Sequence, residues 1–290
     1  MWLLRDAKSV VIEVRYKGQL GNNLFQYCLG RILATEMGYA LEAPPIPGFS
    51  GTSTTVDGRR YQAPERLISG QALDVERLRR ERPACRVVLH GWFQQHEYYR
   101  PHRQAIRQWL AFDDVVPVQA SRPTTVVHVR RHDYVTNGWA LPFSFYERAL
   151  EQFDALGDLW ILTDDPSDPF FDRFARWRPR FTHGSTLADL RFMSAASQLV
   201  MSQSTYSWWA SFLGEPDRIV CPVPSYGAWS ASGEGVSLIE RDRFVCIDSN
   251  EPYRASFRER FYQQRRGLRP AVARTIRRFI PVPTLRRAGS

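Results

Sequence analysis

Cysteine is scarce in this chain of 290 residues: Cys28, Cys85, Cys221 and Cys246 stand far apart, and no two have the spacing of a metal site. A disulfide scaffold or a zinc module is excluded, and small buried hydrophobes in a reducing compartment are expected. No run of ~18–20 apolar residues is present, so no membrane-spanning helix is expected. The opening Met1-Trp2-Leu3-Leu4 meets Arg5, Asp6 and Lys8 too early to form a signal-peptide core, which makes a cytoplasmic protein the expectation. The glycine-rich loops of P-loop and dinucleotide-binding proteins are missing. A third metal ligand beside Asp164-Asp165 is missing too, which leaves that pair a weak magnesium signal. No internal repeat stands out.

Apolar residues are abundant, at 43% with 13% aromatic, so a sizeable core can form. The net charge of +9 is unevenly placed: residues 265–290 hold eight Arg and no Asp, Glu or Lys, leaving +1 for everything before them. A body this close to neutral predicts no specific nucleic-acid surface. In the tail, Leu268, Val272, Ile276, Phe279 and Ile280 recur at helical spacing among arginines, the pattern of a basic amphipathic helix that lies on anionic lipid. A solvated, partly disordered tail is the competing reading.

The residues from Thr124 to Tyr134 gather most of the chemistry. Thr124, Val126, Val127 and Val129 form a β-branched apolar run suited to a strand covered on both faces. His128, Arg130, Arg131, His132 and Asp133 follow at once. Side chains alternate along an extended chain, so one arginine should face the ligand crevice and the other a structural carboxylate; His128 and Arg130 share a parity and are assigned to the crevice. Asp133 is either the nearest general base or the partner of Arg131.

Around this stretch the chain alternates. Val10–Val14 reads as a strand running into the Gly18-Gln19-Leu20-Gly21-Asn22-Asn23 turn, then a helix whose apolar positions include Leu24, Phe25, Tyr27, Cys28, Leu29, Ile32 and Leu33. Strand, glycine turn and helix point free N–H groups at an anion. Residues 44–63 read as a long loop, 74–81 as a helix, 86–89 as a strand, 91–99 as an aromatic connection, 106–112 as a short helix and 117–123 as a linker. Strands at 159–162, 199–201 and 218–221 then alternate with helices at 145–156, 186–196 and 207–213, which predicts a parallel, doubly wound sheet. Two of these strands end in Thr163-Asp164-Asp165 and in Ser202 to Ser207. Their carboxyl ends and that of the 124–129 strand should meet in one crevice. Guanidinium, a hydroxyl-rich helix start and a carboxylate suit a nucleoside diphosphate; Trp208-Trp209 read as core.

With those residues in view, Gly18-x-Leu20-Gly21-Asn22-Asn23-x-Phe25-Gln26-Tyr27 and His128-Val129-Arg130-Arg131-His132-Asp133-Tyr134 resemble the first two signature blocks of the α-1,2-fucosyltransferases. Thr163-Asp164-Asp165 and Ser204 to Trp209 are similar to the third and fourth. The order is that family's, and the blocks span about residues 10 to 215. The chain departs from the pattern at Asn23, His132, Thr163 and Gln203.

The resemblance implies a GT-B-like α/β fold of two Rossmann-like domains, an acceptor-side domain over 1–120 and a donor domain over 121–264, with the basic tail beyond. It implies inverting transfer of L-fucose from GDP-β-L-fucose to a galactose 2-hydroxyl of a glycan acceptor, without a cofactor or an obligatory metal. Arg130, Asp133 and Asn22 would be catalytic. His128, Arg130, Asp164, Asp165, Ser204, Thr205 and Ser207 would hold the donor, and Gly18, Gly21 and Asn22 the turn beside its phosphates. The competing readings are the same fold acting on another GDP-sugar, and a non-catalytic glycan- or nucleic-acid-binding protein.

Overall fold

The computed structural model describes residues 10–54, 64–113, 124–182, 184–223, 236–249 and 251–266. Within them the apolar runs become two sheets, both wholly parallel. In the first, β1 (Val11–Val14) lies between β2 (Ala40–Glu42) and β4 (Arg86–Leu89), and β3 (Glu65–Ile68) pairs with the far side of β4. In the second, β5 (Thr124–Val129) lies between β6 (Asp158–Thr163) and β8 (Gln198–Val200). Outside these run β7 (Arg180–Thr182) on the β6 side, then β9 (Arg218–Val223) and β10 (Val245–Asp248) on the other.

The order β7-β6-β5-β8-β9-β10 is that of a dinucleotide-binding sheet, with the chain reversing direction across β5 and β8. The first sheet reverses in the same way at β1. Ligands bind where such reversals leave a gap at the carboxyl ends of the strands. The protein is therefore α/β and GT-B-like, two Rossmann-like sheets whose switch points are brought together.

Helices make that junction. α1 (Leu20–Met37) follows β1, and α8 (Thr205–Leu213) follows β8. Their first turns touch: the Trp209 indole donates to Gly21 O at 2.8 Å, and a Cβ on Gly21 would lie 2.6 Å from Thr205 Oγ1 and 2.8 Å from the Tyr206 nitrogen. Only glycine lets the two backbones approach this closely. Below the contact, Phe25 packs on Trp208 and Trp209 with ring centroids 4.9 and 4.8 Å away, and Tyr99 closes the group. Both tryptophans are fully buried core residues. One apolar cluster runs from Ile12 and Val14 of the first sheet through these rings to Val126 and Leu199 of the second.

Several boundaries differ from those read in the sequence. α6 (Phe143–Leu150) ends before the expected Leu156, because the chain turns Phe153 inward and takes a positive φ of 59° at Gly157 to enter β6. The aromatic connection contains a short helix, α3 (His96–Tyr99), and the next helix, α4 (Arg103–Trp109), starts three residues earlier than read. Beyond β10 a helix occupies 257–266 and runs across the expected boundary at 264/265. The segment read as a linker, 117–123, lies outside the described residues, as does the basic tail from 267 onward. No helix among the described residues is long and apolar enough to cross a membrane.

Candidate active site

The carboxyl ends of β5, β6 and β8 deliver their polar clusters to one place. Val129 at the end of β5 pairs in register with Thr163 at the end of β6, so Arg130 and Asp164 leave the sheet side by side. Arg130 Nη2 donates to Asp133 Oδ1 at 2.7 Å, and its Nη1 lies 3.4 Å from Asp164 Oδ2. The guanidinium also lies over the Tyr134 ring, 4.9 Å from its centroid. It is 28% exposed, so it can be reached. Arg130 Nε and Asp164 Oδ2 are nevertheless buried atoms without a hydrogen-bond partner.

Arg131 goes the opposite way. It is fully buried, donates from Nε to Asp168 at 2.9 Å and from Nη2 to the Tyr253 hydroxyl at 2.7 Å, and sits between the Phe170 and Tyr253 rings. Its backbone N–H donates to Asp164 Oδ1 at 2.8 Å, which fixes the carboxylate beside Arg130. Burial pulls the Arg131 guanidinium down, but Tyr253 and Asp168 together carry it above its ordinary value.

Of the two roles open to Asp133, partner of Arg131 is not what the structure shows: it pairs with Arg130. The reason is local, because Arg131 leads into the short helix α5 (His132–Thr136), and that turn brings Asp133 back over Arg130. His132, where the resembled family has glycine, is exposed at the start of this helix.

His128 is buried rather than lining the crevice. Its Nδ1 pairs with Ser202 Oγ at 2.9 Å, and its ring lies 5.5 Å from that of Tyr206. Burial, and then the Arg130 charge, push its imidazole down to about 3, so the ring is neutral near pH 7. Asp165 is also spent elsewhere: it is buried, accepts from the Tyr262 hydroxyl at 2.9 Å and pairs with Arg266. Ser207 is buried, with its hydroxyl donating to the carbonyls of Ser202 (3.2 Å) and Ser204 (3.1 Å). These three shape the loops instead of facing a ligand, since each polar group has been taken by its own chain.

Ser204 caps α8 by accepting from the Tyr206 nitrogen at 3.3 Å, and Thr205 abuts Gly21. Neither α1 nor α8 carries an acidic residue in its first turn, so both positive helix ends meet at the junction without a neutralising carboxylate there. On the first sheet's side, Gly18 takes a φ of 81°, and a Cβ would strike Asn22 and Trp92. Asn22 Oδ1 accepts from Gln94 at 2.9 Å, and the Lys17 ammonium lies 4.1 Å over Trp92.

Gln94, Lys17, Trp92, Tyr134 and Asp168 were not singled out from the sequence. Tyr134 closes the second motif and could have been read as the ring beneath Arg130; Asp168, three residues beyond Asp165 and followed by proline, had the look of a turn cap. Among the described residues no three His, Cys, Asp or Glu side chains cluster as metal ligands.

No family model matches the chain. The chain is 30% identical over 138 residues to the O-antigen biosynthesis glycosyltransferase WbnK of Escherichia coli, a match covering 43% of this chain and 44% of WbnK; it thus spans less than half the length of that curated relative. Among solved structures it is similar to the fucosyltransferase NodZ from Bradyrhizobium, with a TM-score of 0.46, 15% identity and coverage of 76% of this chain and 97% of NodZ. It is also similar to an Arabidopsis thaliana FUT1 mutant in complex with GDP, with a TM-score of 0.46, 10% identity and coverage of 74% of this chain and 70% of that one.

Proposed function

We propose that the chain is a glycosyltransferase that moves a sugar from a GDP-linked donor, L-fucose from GDP-β-L-fucose, to the 2-hydroxyl of a galactose in a glycan acceptor. The observation that carries this reading is the reachable Arg130 guanidinium at the switch point of the larger sheet, set between Asp133 and Asp164 over the Tyr134 ring, whose hydroxyl donates to Gln203 O at 2.9 Å just before α8. The four ordered motifs support the donor class, and the likeness to an O-antigen glycosyltransferase supports the acceptor class.

Two carboxylates flank Arg130, so the guanidinium carries no surplus of positive charge while Asp133 stays on it. A diphosphate takes the Arg130 fork only as Asp133 leaves it. Donor binding thereby arms a base: Asp133, released, is the carboxylate available to accept the proton from the attacking hydroxyl. As the bond to the sugar breaks, negative charge grows on the β-phosphate, where Arg130 and the free N–H groups of the α8 start stabilise it. Preorganised donors of this kind are worth ~3–4 kcal/mol in the barrier, and no metal is required for that role. Asp164 Oδ2, which has no hydrogen-bond donor on it, is the atom that accepts from the nucleoside, and Asn22 borders the acceptor side. His128 holds the loop with Ser202 as a neutral spacer.

Calorimetry with GDP, GDP-fucose and GDP-mannose, with and without EDTA, tests the donor, and NMR of the transferred product tests the linkage. GDP binding that survives EDTA and an α-1,2-linked product are expected. A protein that binds none of the three nucleotides would sink the reading. Preference for GDP-mannose would reassign the donor and make His132 the residue to examine first.

A further inference from the structure

Helix 257–266, the last described element, has two faces of opposite character. One stripe is docked: Glu259 is buried 3.8 Å from Arg131, the Tyr262 hydroxyl donates to Asp165, Gln263 donates to Asp168 at 3.0 Å, and Arg266 pairs with Asp165. Positions 259, 262, 263 and 266 fall on one side of a helix with 3.6 residues per turn. The other side is open. Phe257 is 76% exposed and Phe261, one turn on, 49%. Arg258, Arg260, Gln264 and Arg265 share that side, and it carries no Asp or Glu.

Arg258 is 82% exposed and reaches Asp172 at 3.8 Å. Arg265 lies 4.7 Å over the Phe261 ring. Neither Arg260 nor Arg265 pairs with a carboxylate among the described residues. Exposed aromatic rings flanked by Arg260 and Arg265, neither paired with a carboxylate, and by Arg258, held only loosely at 3.8 Å from Asp172, are unusual on a surface that meets only water.

We propose that this open face is a docking surface for an anionic lipid bilayer. The two phenylalanines enter the boundary between headgroups and acyl chains, and Arg258, Arg260 and Arg265 meet the lipid phosphates. The sequence beyond the helix continues the same chemistry, with Leu268, Val272, Ile276 and Ile280 set among six further arginines and no acid. Of the five apolar residues that recur along it, four are aliphatic and Phe279 alone adds a ring on which a base could stack, which favours lipid over single-stranded nucleic acid. Two copies set face to face would oppose cation to cation, which disfavours self-association. Because the docked stripe holds Asp165 and Asp168, just past the carboxyl end of β6, the bilayer would lie along the edge of the sheet where the crevice opens.

Flotation of the full chain with vesicles tests this independently of any transferase activity. Binding to phosphatidylcholine vesicles containing phosphatidylglycerol, weakened by salt, is expected, with little binding to phosphatidylcholine alone. The double variant Phe257→Ser/Phe261→Ser should lose about tenfold in vesicle affinity while keeping its melting temperature, because both rings are exposed in the folded chain. Arg258→Glu/Arg260→Glu should lose binding to the anionic vesicles in the same way. Several results would overturn the proposal: no flotation of the wild-type chain, unchanged flotation of both double variants, equal binding to neutral vesicles, preferential binding of a single-stranded oligonucleotide, or a dimer that the phenylalanine variant dissolves. Loss of flotation on deleting 267–290 with no effect of Phe257→Ser/Phe261→Ser would assign the contact to the tail and also overturn it.

Discussion

Arg130 and Arg131 are joined by a single peptide bond and belong to two regions that solve opposite problems. Around Arg130 the charges are loosely held: one carboxylate sits on a short helix at the surface, another meets the guanidinium only at 3.4 Å, and the guanidinium itself can be reached. Around Arg131 everything is enclosed. Asp168, Glu259 and the Phe170 and Tyr253 rings surround it, drawn from segments 37 to 128 residues away in the chain. The first region is built to exchange partners and the second to keep them. The two side chains leave the end of β5 in opposite directions, and one strand end thus serves both purposes at once.

Substitutions can break that contrast. Arg131→Ala leaves Asp168 buried without its cation, while Glu259 keeps Arg173 at 3.4 Å, and removal of one partner from a buried ion pair typically costs ~3–5 kcal/mol. Chemical denaturation should show a loss of that size. Arg130→Ala should instead cost about 10²–10³ in turnover, the equivalent of ~3–4 kcal/mol in the barrier, with the denaturation midpoint little changed. Arg130→Lys should recover little, because an ammonium cannot reproduce the planar fork. If Arg130→Ala unfolded the protein while Arg131→Ala stayed folded and active, the division of labour would be the reverse of the one described.

Acid supplies a finer test on the crevice side. The buried His128 has its imidazole pushed down to about 3, whereas in the unfolded chain it titrates near 6.5. The unfolded state therefore binds the extra proton first. His128 contributes stability above pH 6.5, and that contribution is lost as the pH falls from 6.5 toward 3, at up to about 1.4 kcal/mol per pH unit. Denaturation at pH 7 and pH 5 should show this slope, and His128→Asn should flatten it. The smallest effect belongs to Tyr253→Phe, which keeps the ring over Arg131 and removes one hydrogen bond. A loss of about 1–2 kcal/mol is expected, read in the same denaturation series, with the affinity for GDP unaltered.

Much of this was legible in the sequence, unevenly so. Strands β1, β4, β5, β6, β8 and β9 announce themselves as apolar runs because they lie inside the sheets. β2, β3, β7 and β10 were not read, and all four are edge strands: β3 alternates exposed and half-buried residues, and β7 has three residues of which two are exposed. Phe170, Phe171 and Phe174 form a buried 3-10 stretch over Pro169–Trp177; their helical spacing was there to be read, and the stretch was missed. In the site, spacing alone brought Arg130, Asp164, Ser204 and Asn22 to the right strand and helix ends. It could not tell which neighbours were already spoken for. Asp165 and Arg266 are 101 residues apart and Arg131 and Tyr253 are 122 apart, separations over which local pattern says nothing.

The weld between α1 and α8 has a consequence for anyone wishing to recombine this scaffold. Phe25, Trp208 and Trp209 complete one another across the junction, and each such ring buries ~150–250 Å². Cutting the chain between its sheets would bare those rings on both fragments, at a cost on the order of 10 kcal/mol. Neither half is a finished module, so a chimera that borrows the donor sheet must bring the first helix of the other sheet with it, glycine included.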